Sequence, residues 1–315
     1  MKKSDFLRND SQGGKLYLTG AFALAGTSVV AARFVSGKIG VFTIAAVSMA
    51  FALLLLIPLC HRKLIDSLRQ MTVRQAVVVA MQAFFGMFLF RVLLLNGVAR
   101  TSALEAGILT GVTPAITAFL AWAFLREMVG FRTLAAILAT ILGGLLVQGL
   151  ARAGAGLDSA HLIGNLLVIG AAASESAFNI LCRSSAIQKA SEGNPIDPLV
   201  QTTLVTLFSL LFCLIPAAFE QPLTRLSAIG VVEWSALLWY GVFVTALAYL
   251  CWYAGIKRSG AFTAAAFSGL MPLTSMMLST ILLRETTDVF QWLGGACVIT
   301  GMLLIGARRE KETAS

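Results

Sequence analysis

Along this chain, apolar runs of about twenty residues alternate with short polar breaks, and a run of that length is what a helix needs to cross a hydrocarbon core. The pattern predicts ten spans, at 16–32, 39–59, 75–95, 103–124, 132–150, 162–182, 199–219, 235–254, 261–283 and 289–306. The expected fold class is therefore an all-α membrane protein with ten transmembrane helices. The second, fourth and ninth runs are the cleanest. The first is interrupted by Gly20 and Gly26, and the sixth by Glu175 and Asn179. Polar groups inside a span are costly, so the interrupted runs are where function is expected.

Two runs repeat one another. GVTPAITAFLAWAFLRE ends at Glu127 and GLMPLTSMMLSTILLRE ends at Glu285. Gly111 and Gly269, Pro114 and Pro272, Arg126 and Arg284, and Glu127 and Glu285 all stand 158 residues apart. A weaker match at an offset of 150 pairs Gly14, Leu16, Gly20, Ala21 and Arg33 with Gly164, Leu166, Gly170, Ala171 and Arg183, so the first span is the counterpart of the sixth. It is accordingly read as a span of the folded protein and not as a cleaved signal. The expected organisation is a tail at 1–15, a first repeat at 16–150, a linker at 151–161, a second repeat at 162–306 and a tail at 307–315.

Charge refines this plan. The composition is 58% hydrophobic and 12% charged, which excludes an ordinary soluble domain. The net charge of +9 is explained by topology and not by nucleic acid. With a cytoplasmic N-terminus, seventeen of the 24 Lys and Arg residues fall in inner segments and six in outer ones, leaving Arg91 alone inside a span. Both termini are therefore expected on the cytoplasmic side of a plasma membrane, the inner membrane of a bacterium. Five spans per repeat make the two halves inverted relative to one another, the plan of many secondary carriers. Five cysteines without a CxxC spacing read as unpaired thiols; no metal or cofactor is expected.

The segments TSALEAGILTGVTPAITAFLAWAFLRE and SGAFTAAAFSGLMPLTSMMLSTILLRE, in register within two five-helix halves, resemble the drug/metabolite transporter superfamily and its EamA-type metabolite transporters. The resemblance implies a secondary carrier for small metabolites, commonly an exporter, with a central cavity between the halves. One departure is Ala25-Gly26, where such proteins commonly carry Trp-Gly.

Within this frame Glu175 is the acidic residue deepest inside a span, roughly 20 Å from the outer end of its helix and 10 Å from the inner end. At that depth a carboxylate faces a wet cavity, finds a partner or holds a proton, so proton-coupled exchange is one expectation. Asn179 shares its face and Ser176 is adjacent, giving a strip for a polar substrate. The alternative is a structural carboxylate bonded to a neighbouring helix. Arg91 is expected to meet Glu105 across the hairpin of the third and fourth helices, either as a structural pair or as a receptor for a substrate carboxylate. Gly111, Pro114, Gly269 and Pro272 should kink two helices beside the cavity, with Thr113 a candidate to satisfy the Thr110 carbonyl that Pro114 leaves without a donor. Tyr249, Trp252 and Tyr253 are possible aromatic lining. Glu127 and Glu285 are expected to cap the fifth and tenth helices. Gly143-Gly144 and Gly294-Gly295 offer surfaces for a homodimer.

The reading is a secondary transporter, an exporter of a small polar metabolite such as an amino acid or its derivative, not an enzyme. Its partners are the small-molecule substrate and the lipid bilayer. Alternatives are a multidrug or lipid-like carrier for amphipathic cations and, of another class, a non-transporting membrane receptor or assembly protein.

Overall fold

The computed structural model describes residues 3–125, 159–192, 197–267, 270–286 and 288–312, together with scattered positions between 131 and 146. Among the described residues the secondary structure is helical apart from one isolated bridge between Ser36 and Ile39. In chain order the helices are α1 (Lys3–Val35), α2 (Val41–Gln70), α3 (Val73–Ala83), α4 (Phe90–Val98), α5 (Ala103–Thr110), α6 (Thr113–Leu125), α7 (Ser159–Glu192), α8 (Pro198–Ala218), α9 (Pro222–Ser227), α10 (Val231–Trp239), α11 (Ala248–Phe267), α12 (Leu270–Leu282) and α13 (Val289–Glu312). Among the described residues, six helical stretches are long and apolar enough to span a bilayer: Gly13–Val35, Val41–Gln70, Val73–Val98, His161–Cys182, Pro198–Ala218 and Val231–Gly255. Their apolar side chains leave backbone groups no partner but the helix itself, which is why helices carry this chain through lipid.

The fourth expected span is divided into α5 and α6. The break follows from Pro114, which has no N–H for the Thr110 carbonyl. Around it the bonding tightens to three-residue steps, with Gly111 N–H on the Ile108 carbonyl (2.9 Å) and Val112 N–H on the Leu109 carbonyl (3.1 Å). In the ninth expected span α11 runs to Phe267 and α12 starts at Leu270, with Ser268 and Gly269 outside the described residues. The loop expected at 255–260 is helical, since its IKRS contains no helix breaker and Gly255 lies against Leu18. Most of the fifth expected span lies outside the described residues.

Two π-helical turns were not legible in the sequence. One, Phe84–Leu89, joins α3 to α4; the other, Tyr240–Leu247, joins α10 to α11. Shifting the first by 158 gives 242–247, inside the second. Wider turns of this kind misalign backbone carbonyls and free them for side chains.

Packing follows the same correspondence. The α1 helix lies along α11 and crosses α12, while α7 lies along α4 and crosses α6; α2 packs on α8, and α5 on α12. Glycines set the closest approaches. A Cβ at Gly26 would stand 2.5 Å from the Met271 carbonyl oxygen, and one at Gly111 would stand 2.5 Å from Val298 and 3.3 Å from the Pro272 ring. Gly111 and Pro272 therefore meet where the end of α5 packs on α12. A Cβ at Gly143 would stand 2.6 Å from the Gly294 carbonyl oxygen, and one at Gly295 would stand 2.8 Å from the Met276 sulfur. These glycines, expected at a dimer contact, let helices of one chain pack closely instead. All five cysteines are free.

Candidate substrate site

The site is built where α7 meets the break between α5 and α6. Glu175 keeps accessible surface while its carboxylate lies 3.1 Å from the Thr113 hydroxyl. That hydroxyl also lies 2.8 Å from the Thr110 carbonyl, the acceptor orphaned by Pro114. Ser176 is buried and its hydroxyl reaches the Thr113 carbonyl at 3.0 Å as well as its own helix at Ala172. Two consecutive residues of α7 thus grip one residue of the kink. Asn179 lies one turn further along, partly accessible.

The first π-turn forms the facing wall. Its freed carbonyls accept from Ser174 of α7 at Phe85 (2.7 Å) and from the Tyr249 hydroxyl of α11 at Gly86 (3.2 Å). Tyr249 stacks edge-on against Phe178, Trp252 also contacts Phe178, and Tyr253 contacts Trp252 with ring centroids 4.8 Å apart. The three aromatics proposed as lining form one cluster a single turn beyond Glu175.

Arg91 is 3% exposed. Its guanidinium donates to Ser48 of α2 and to Thr245 in the second π-turn, and lies 4.3 Å over the Tyr240 ring. Thr245 in turn donates to the Tyr240 carbonyl at 2.8 Å. These hydroxyl and π contacts orient the cation without neutralising it. The expected pairing with Glu105 does not form. Glu105 instead accepts from Thr101 (2.7 Å), Asn165 (3.1 Å) and Gln291 (3.3 Å), with His161 at 3.6 Å. The hairpin brings the two residues close along the chain, but they face different helices: Arg91 turns toward α2 and the second π-turn, Glu105 toward α7 and α13.

Glu285 does act as a cap, of a different helix from the one expected. Its two carboxylate oxygens accept from the N–H groups of Ala103 (3.0 Å) and Leu104 (2.8 Å), the first two residues of α5. Arg284, in the left-handed region at φ 53, turns the chain after α12 so that the carboxylate faces α5. The α13 helix is closed by the Gln291 side chain accepting from the Asp288 N–H at 3.1 Å. Glu127, the side chain of Pro114, and Gly269 lie outside the described residues, while Pro272 is buried in α12.

A family model described as the EamA-like transporter family matches residues 12–148 and 162–307. The chain belongs to the EamA-like transporter family. It is 32% identical, over 99% of its length and 92% of the other's, to a Bacillus subtilis (strain 168) protein described as the uncharacterized transporter YetK. A second protein of that organism, the uncharacterized transporter YyaM, is 27% identical over 73% of each chain. A solved crystal structure superposes with a TM-score of 0.61 at 18% identity, covering 96% of this chain and 99% of the other, a likeness of fold. The protein is thus a multi-pass integral membrane protein of the drug/metabolite transporter superfamily.

Thr113 is the site residue whose weight sequence reasoning underestimated. It had been noted only as a partner for the Thr110 carbonyl; the geometry gives it Glu175 as well. The π-turns and the Ser48–Arg91–Thr245 arrangement had no signal in residue spacing.

Proposed function

We propose that the protein exports a small zwitterionic metabolite, an amino acid or a close derivative, by alternating access in exchange for protons. Two inverted five-helix repeats with both termini cytoplasmic would provide the moving halves, and the exchange of packing partners between α1 with α11 and α7 with α4 supports that plan.

The observation that carries the reading is the pair of charged groups held inside the bundle by neutral partners. Glu175 meets a threonine hydroxyl; Arg91 meets two hydroxyls and a ring. Glu175 sits level with Phe85, because the adjacent Ser174 bonds that carbonyl, and Arg91 lies six residues further on. At about 1.5 Å per residue that is roughly 9 Å along the helix. An axial offset of this size is within the reach of one small zwitterion with a hydrogen bond at each end. Tyr249, bonded to the Gly86 carbonyl, belongs to the wall on the same stretch. In this arrangement Glu175 reads the ammonium and Arg91 the carboxylate, and release of the substrate lets Glu175 take up a proton.

Counterflow into proteoliposomes tests the reading with a panel of labelled amino acids, their decarboxylated amines and amphipathic cations. Saturable exchange of a zwitterion supports it. Exchange confined to the cations, or none with any zwitterion, overturns it.

A further inference from the structure

Thr113 faces two acceptors with one hydrogen. Its oxygen is 2.8 Å from the Thr110 carbonyl and 3.1 Å from Glu175, and a hydroxyl has a single proton to donate but lone pairs to accept with. When Glu175 is protonated, its own O–H donates to Thr113 while Thr113 donates to Thr110, and every group is satisfied. When Glu175 is ionised it is an acceptor only, and the two acceptors compete for one proton. A charge-assisted bond to the carboxylate is the stronger of the two. The Thr113 hydroxyl then turns to Glu175, and the Thr110 carbonyl, which Pro114 already deprives of its helical donor, is left bare at the break.

We propose that Thr113 is the positioning residue through which the protonation state of Glu175 sets the geometry of the α5–α6 break. The proton leaving Glu175 passes to solvent, and no other atom changes bonding partner except the Thr113 hydrogen. The proposal deepens the reading of Glu175 as the proton-exchanging group and rests on it. The second repeat has no equivalent device: at the offset of 158 Thr113 corresponds to Met271, and at the offset of 150 Glu175 corresponds to Ala25. The proton-linked contact thus belongs to one repeat and has no counterpart in the other.

Among the described residues, the charged and titratable groups on elements packed against α7 are Arg74 of α3, Arg91 of α4 and Glu105 of α5, with Tyr249 and Tyr253 of α11 reached through the Phe178 cluster. The first π-turn and the described part of α6 contribute none. Glu105 bonds Asn165, ten residues from Glu175 and so roughly 15 Å away along α7. The Glu175 carboxylate accepts from the Thr113 hydroxyl.

The test is hydrogen–deuterium exchange of the segment 108–118 in the full-length protein in lipid nanodiscs, corrected for intrinsic exchange rates and followed from pH 5 to pH 9 without substrate. The expected result is that exchange in the wild type changes at least several-fold with pH, that Thr113→Ser retains the change, and that Thr113→Val and Glu175→Gln each abolish it. A wild-type segment with no pH response overturns the proposal, as does a wild-type response surviving in Glu175→Gln or in Thr113→Val. If Thr113→Val fails to insert, the Glu175→Gln comparison decides alone. Because the readout needs no substrate, failure of the zwitterion assignment in the flux assay leaves this result standing, and the reverse holds too.

Discussion

Removing the Glu285 carboxylate should loosen the start of α5 by a predictable amount. The first three N–H groups of α5 have no intrahelical acceptor. In the structure all three are satisfied: Ala103 and Leu104 by Glu285, and Glu105 by the Ser102 hydroxyl at 3.0 Å. The first helical bond proper is Ala106 N–H on the Ser102 carbonyl. Glu285→Ala orphans two donors at once and removes a negative charge from the positive end of the helix. A lost cap costs typically about 1 kcal/mol and the charge about 0.5 kcal/mol more. With two donors affected, the expected loss is about 2 kcal/mol, or roughly 4–8 °C in the melting temperature at the scale of a large domain. Glu285→Gln keeps an acceptor and should lose about half. Ser102→Ala, which removes the third acceptor, should cost about 1 kcal/mol. The assay is a thermal melt of purified protein in one detergent, followed by tryptophan fluorescence, with Asp288→Ala as a control at the neighbouring helix start. A Glu285→Ala variant melting within 1 °C of wild type would refute the cap, and so would a Glu285→Gln variant as damaged as the alanine.

Two further outcomes follow from packing and charge. A Cβ at Gly107 would collide with the Cβ and Oγ of Ser275 at the crossing of α5 and α12, so Gly107→Ala should destabilise by about 1–3 kcal/mol in the same melt; Ser275→Gly in the same chain should restore most of the loss, and failure to do so would contradict the crossing. The Lys63–Asp197 pair, 2.6 Å apart with the lysine 69% exposed, is a surface contact, so Lys63→Ala should leave the melting temperature at the wild-type value.

How much of this was legible in the sequence depends on how each signal is carried. Apolar run length located the six bilayer-length helices seen among the described residues, and Pro114 the break between α5 and α6, because lipid imposes helices and proline forbids a particular hydrogen bond whatever surrounds it. Glu175 stood out for a similar reason: a carboxylate in the middle of a span is costly in any context. Partner choice was harder. Arg91 was matched to Glu105 by depth in one hairpin, but depth is one coordinate and the direction a side chain takes around its helix is another. Glu285 was assigned to the helix that follows it in sequence, whereas the left-handed turn at Arg284 hands it to a helix 182 residues away. The π-turns left no trace because FFGMFL and YGVFVTAL suit an ordinary helix equally well; the first releases carbonyls to Ser174 and Tyr249, and the second bonds its Tyr240 carbonyl to Thr245. Thr113 was visible as a residue beside a proline, but its second partner lies 62 positions along the chain.

The central claim is that Arg91 and Glu175 read the two ends of one zwitterionic substrate. The most direct measurement is concentration-dependent exchange in proteoliposomes of an amino acid that the wild type carries, beside its amide, which lacks the carboxylate, for wild type, Arg91→Leu and Glu175→Gln. A hydrogen bond to a charged group is worth about 1.5–3 kcal/mol, so each variant should raise the half-saturating concentration of the zwitterion roughly 10- to 150-fold. Arg91→Leu should also erase the preference for the acid over the amide. Wild-type affinity in both variants, or an Arg91→Leu protein that still prefers the acid, would contradict the account.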